Sequence, residues 1–216
     1  MARVDDYRNA ADMTRQELVT RDPDLLAEVS GADIHREEDQ THLSLDFLGG
    51  RIRIPWPELV PVWAEGQKEV PIQQQVLLLH YLAGAWRSNG TSLTGEWIAF
   101  QDVPDGRFYL DAFQRRAKLP LLQAFGEQPE LLEEMARKAY GAEAIELGDT
   151  SVAVPVLPRI RIALVLWAGD DEFPPEGNLL FDRNIVSILS AEDIAWVSGM
   201  VVYPLMGMAS ARAKSP

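Results

Sequence analysis

The spacing of apolar positions changes several times along the chain, and each change marks an element. Residues 4–20 are polar with a weak helical face. Asp22-Pro23 then opens a second short helix, with Asp22 as its N-cap and Pro23 in the first turn, where a missing N–H costs nothing. Gly31 stops it. From Thr41 the period becomes two: Leu43, Leu45 and Phe47 share a face, Gly49-Gly50 turns the chain, and Ile52 and Ile54 continue that face. This spacing predicts Phe47 opposite Ile52 and Asp46 opposite Arg53, an ion pair on the outside of an apolar hairpin. Residues 55–71 hold four prolines and two tryptophans and read as an ordered loop.

Beyond Pro71 the period is helical. Ile72, Val76, Leu79, Ala83 and Trp86 form a stripe that Leu77, Leu78, Tyr81 and Leu82 widen almost all round, which predicts a central buried helix over 72–86. Glu96 to Phe100 reads as a strand, Pro104-Asp105-Gly106 as a turn and Arg107 to Leu110 as a returning strand, giving a second hairpin. Helices are predicted over 111–125, interrupted near Pro120, and over 129–140, stopped by Gly141. Val152 to Trp167 is the most apolar strand-like run, with Pro155 and Pro158 confining its start to an edge or an irregular entry. Ser190 and Asp193 make a capping pair ahead of an apolar helix over 191–208.

These elements predict an α+β protein: antiparallel hairpins packed against two apolar helices, with residues 1–40 a helical N-terminal segment and 41–216 one α+β domain. Arg-Ile-Arg-Ile occurs at 51–54 and again at 159–162, each time late in a strand pattern that leads to an apolar helix, which is compatible with a ββα duplication.

Charge narrows the function classes. With 20 Lys and Arg against 33 Asp and Glu the chain carries −13, and without a local basic patch it repels nucleic acid. There is no cysteine, so no disulfide, thiolate nucleophile or Cys-ligated cluster is available, and the N-terminal residues lack an apolar signal core; both suit a cytoplasmic protein. Ile194 to Ala211 contains no charge, yet Ser198, Gly199, Pro204, Gly207 and Ser210 dilute it, so it is read as a buried helix or an oligomer interface and not as a membrane span.

The phosphate-loop, dinucleotide, zinc-protease and nucleophile-elbow motifs are all missing. What remains is carboxylates. Asp170, Asp171, Glu172, Glu176 and Asp182 crowd the stretch after the apolar strand, where strand ends hold loop side chains in register, and oxygen ligands of this kind suit Mg²⁺ or Ca²⁺. The candidate metal ligands are Asp170, Asp171, Glu172 and Asp182. The competing reading is an acidic loop that pairs with Arg159, Arg161 or Arg183. Glu96 beside Trp97 would be a raised-pKa acid if the ring shielded it. His80, Glu96, Trp97 and Arg159 are the candidate lining of a ligand-binding cleft.

Five stretches carry a resemblance: Leu77 to Leu82, Thr94 to Phe100, Leu157 to Ile160, Trp167 to Pro174 and Leu180 to Asp182. Over roughly residues 40–205 the chain resembles an uncharacterised domain-of-unknown-function family of anaerobic bacteria and archaea, some of whose members are fused to a four-cysteine iron–sulfur module like that of corrinoid proteins. The resemblance implies anaerobic redox or corrinoid metabolism and an iron–sulfur or corrinoid protein as partner. It assigns no catalytic residue, and the cluster itself finds no ligands here. The expectation from all of this is a non-catalytic binding or accessory protein. Its rivals are a hydrolase dependent on a divalent cation held by the acidic loop, and a structural protein that oligomerises through 194–208.

Overall fold

The computed structural model describes residues 4–37 and 40–213. The fold is α+β, and the chain divides into two units: the first holds residues up to Ser92 together with Leu157–Arg159 and Ser187–Leu189, and the second holds the rest.

In the first unit, α1 (Val4–Leu18) and α2 (Pro23–Ser30) precede a four-stranded antiparallel sheet in the order β1 (Asp33–Glu37), β2 (Gln40–Phe47), β3 (Gly50–Trp56), β4 (Val62–Trp63). The Asp22 carboxylate accepts from the Asp24 and Leu25 N–H groups, and Gly31 closes α2 at φ 70°, as the sequence predicts. Residues 33–37, expected within a helical segment, are instead the edge strand β1. Leu43, Leu45, Phe47, Ile52 and Ile54 are all fully buried on one face of the sheet.

The hairpin register differs from expectation by two residues on β3, which leaves each side chain on its expected face. Phe47 opposes Gly50, Asp46 opposes Arg51, and Leu45 opposes Ile52. The two-residue turn is Leu48-Gly49, both at positive φ (49° and 78°), as a tight right-twisted hairpin requires. Gly50 cannot then carry a side chain, because a Cβ would lie 2.6 Å from the ring of Trp63, which stacks on Phe47. Helix α3 (Ile72–Arg87) starts directly after Pro71 and buries Gln75 to Leu79 and Tyr81 to Ala85. Tyr81 donates to the Ser30 carbonyl and accepts from the Arg159 N–H, so the 157–159 turn is pinned to α2 and α3.

In the second unit a five-stranded sheet runs in the order β5 (Trp97–Ala99), β9 (Glu176–Asp182), β8 (Ile160–Trp167), β7 (Thr150–Leu157), β6 (Glu143–Ala144). The predicted second hairpin does not form. β5 pairs antiparallel with β9, and residues 106–113 are helix α4 (Gly106–Phe113). Four apolar or mixed residues carry no decisive period, and the helix wins because it buries Phe113 face to face with Phe100, rings 4.3 Å apart, while Phe108 stays 85% exposed. The 152–167 run is likewise two strands, β7 and β8, with Pro158-Arg159 at their turn.

A wider π turn, Gln114–Lys118, joins α4 to α5 (Leu119–Phe125), which accommodates Pro120, whose ring would crowd the carbonyl four residues back. The Arg116 guanidinium sits 4.5 Å from the Trp196 ring. Helix α6 (Glu130–Tyr140) ends at Gly141, φ 66°. Helix α7 (Ala191–Ala213) opens with the expected Ser190–Asp193 pair, Oγ to Oδ2 2.7 Å, and buries Ile194, Val197, Val201, Val202 and Leu205. It is long and apolar enough to cross a membrane, although 44% of its apolar window is buried inside the protein.

Candidate functional site

The acidic segment after β8 splits into two parts with different chemistry. Residues 168–175 form a loop, and β9 then carries the chain away, so Asp182 stands at the opposite end of β9 from Glu176, about 20 Å along a strand that rises ~3.3 Å per residue. There the Asp182 carboxylate accepts from the Thr94 N–H, the Thr94 hydroxyl (2.8 Å), the Gly95 N–H (2.8 Å) and the Asn184 N–H. Burial opposes its ionisation, but these donors from Thr94, Asn184 and Gly95 outweigh that and hold it below the usual carboxylate range. Asp182 therefore fastens the segment before β5 to the end of β9. It does not join Asp170, Asp171 and Glu172.

Those three acids lie together in the loop. Asp170 Oδ1 accepts from the N–H groups of Glu172 and Phe173, both at 2.8 Å, and the Asp170 N–H returns a bond to the Phe173 carbonyl. The two backbone donors to Asp170 lower its pKa. The turn is held at its base by Asp149, whose carboxylate accepts from the Ala168 N–H at 2.8 Å. Gly169 allows the close return of the chain, since a Cβ there would be 2.7 Å from the Pro175 nitrogen.

This loop and the α5–α6 turn enclose an open recess of about 500 Å³, with Gly126, Glu127 and Pro129 on one side and residues 168–175 on the other. Four carboxylates line it: Glu127, Asp170, Asp171 and Glu172. Phe173, 67% exposed, adds an apolar surface beside them. Among the described residues, no group of three or more His, Asp or Glu is arranged to hold a metal ion.

The cleft candidates fall two and two. His80 and Arg159 belong to the first unit, Glu96 and Trp97 to the second. Arg159 sits in the β7–β8 turn and donates to the Glu28 carbonyl near the end of α2. His80 is half-buried midway along α3. The Glu96 side chain is 65% exposed and accepts from Arg183 Nε at 2.6 Å, so its carboxylate is solvated and paired.

Sequence reasoning missed Glu127, because a lone acid in a helix–helix turn carries no signal until the fold sets it against the β8–β9 loop. It also missed the apposition of His35 and His42, which depends on the unpredicted strand β1.

No curated protein and no solved structure matches the chain. A family model described as a domain of unknown function, DUF3786, matches residues 22–203, from the N-cap of α2 into α7, a longer stretch than the resemblance drawn from the sequence. The chain therefore belongs to the DUF3786 family of domains of unknown function.

Proposed function

We propose that this is a non-catalytic binding protein whose recognition surface is the acidic recess of the second unit, and that its ligand is a cationic segment of a partner protein. The observation that carries the reading is the recess itself: about 500 Å³, lined by Glu127, Asp170, Asp171 and Glu172, with prolines and Phe173 supplying apolar contact. Lysine or arginine side chains match such a surface, their heads against carboxylates and their stems on Phe173 and the prolines. A hydrolytic metal centre is supported less well, because Asp182 spends both carboxylate oxygens on Thr94 and Gly95 and Asp170 spends its Oδ1 on two backbone donors. The partner class implied by the resemblance in the sequence is an iron–sulfur or corrinoid protein of anaerobic redox metabolism, met in the cytoplasm.

Calorimetric titration with a tetralysine peptide tests the reading. Binding is expected at low salt and should weaken steeply as salt rises. The triple variant Glu127→Gln, Asp171→Asn, Glu172→Gln should lose it by about tenfold or more, since each charge pair is worth about 1 kcal/mol. Equal binding by the triple variant would defeat the proposal, and a heat change with Mg²⁺ or Ca²⁺ abolished by the same variant would favour the cation site instead.

A second reading, self-association through α7, has its own observation: Tyr203 is 48% exposed and shares an outward stripe with the exposed Gly207 and Ser210. It predicts a dimer in sedimentation experiments that Tyr203→Lys dissolves; a monomer at every concentration would remove it.

A further inference from the structure

The sheet of the first unit carries an unusual pair. His35 on β1 and His42 on β2 are directly opposed in the antiparallel register, and their rings stack at 4.8 Å with an interplanar angle of 16°. Both point away from the face formed by Leu43, Leu45 and Phe47, since alternate strand residues take opposite sides. His35 is exposed and shares a 2.9 Å hydrogen bond between Nε2 and Ser44 Oγ. His42 is only 8% exposed, and its Nδ1 is buried with no hydrogen-bond partner among the described residues.

The charges around His42 come from all three strands. β1 contributes Asp33 and Glu37, β2 contributes Asp46, and β3 contributes Arg51 and Arg53; Glu38 and Asp39 lie outside the described residues. Arg51 is matched by Asp33 and Asp46. Arg53 donates to the neutral amide of Gln40. Burial, then Arg53 and His35, hold the His42 imidazole below the ordinary histidine range, against the weaker pull of Glu37.

We propose that the His35–His42 stack is a pH-sensitive latch on the edge strand β1: neutral rings keep β1 on β2, and a proton on His42 releases it. Among the described residues no carboxylate is bonded to the inner nitrogen of a buried imidazolium beside Arg53, so the proton is accepted more readily once β1 has moved away and water reaches the ring. The sign follows. The latched state binds the proton more weakly than a free histidine of pKa about 6.5, so the latch is intact above that pH and loosens as pH falls through the lower, latched-state value. Each pKa unit of difference allows up to about tenfold more opening. An opened β1 uncovers the N–H and C=O groups along β2, a template for an added strand.

Hydrogen–deuterium exchange of residues 33–37 in the full chain, corrected for intrinsic rates, tests this between about pH 7.5 and 5.5. In the wild type the opening constant should rise about three- to tenfold at the lower pH. His42→Gln should keep protection at the higher pH and lose the rise. The same rise in His42→Gln, or none in the wild type, overturns the latch. Arg53→Gln gives an independent reading that does not disturb the stack: the NMR titration midpoint of His42 should move up towards the free-histidine value, and a wild-type midpoint already at that value also overturns it.

Discussion

A carboxylate ringed by backbone donors holds structure in place, and Asp182 is such a group, 2% exposed and bonded to Thr94, Gly95 and Asn184. Asp182→Ala would strand those donors in a buried setting, so it should cost about 2–4 kcal/mol in urea unfolding. Because its pKa is lowered in the folded state, its contribution is full above the unfolded value near 3.9 and is lost as pH falls below that; the Asp182→Ala penalty should therefore shrink towards about pH 3. Nothing in the sequence distinguishes Asp182 from Asp170 or Asp171. Its partners lie 87 and 88 positions earlier, at Gly95 and Thr94, and only the pairing of β5 with β9 brings them there.

At the scale of elements, what was legible had a local cause. Helices α2 and α6 announce themselves by Asp22-Pro23 and Pro129 at their starts and by glycines at their ends. The β2–β3 hairpin shows in its strict alternation, although its register, two residues from the expected one, does not, because it rests on Leu48 accepting a positive φ. The partner of β5 was illegible, since β9 follows it by more than seventy residues and any apolar run nearby looked an equal candidate. Within α3, Gly84 marks where the helix meets another segment of its own unit. A Cβ there would lie 1.9 Å from the Ile188 carbonyl oxygen. Gly84→Ala should destabilise the protein by about 3 kcal/mol or more in urea, overriding the ~1 kcal/mol gain in helix propensity.

For the whole molecule, the charge of −13 is a uniform tax on folding as well as a local device. Screening should relieve it: raising NaCl from about 0.02 to 0.3 M is expected to lift Tm by about 2–5 °C, read by circular dichroism, while weakening tetralysine binding. Of the candidate site, the loop acids Asp170, Asp171 and Glu172 were legible as a run; their fourth wall, Glu127, was not.

The make-up of the first unit bears on how the protein is born. Its early helices and sheet come from the first 92 residues, but Leu157–Arg159 and Ser187–Leu189 belong to it as well. A nascent chain emerging from the ribosome therefore presents Tyr81 before Arg159 exists to meet it, and Gly84 before Ile188. The first 92 residues must wait, apolar α3 uncovered, until Leu157–Arg159 and Ser187–Leu189 have been made, and during that interval they are a natural client for chaperones.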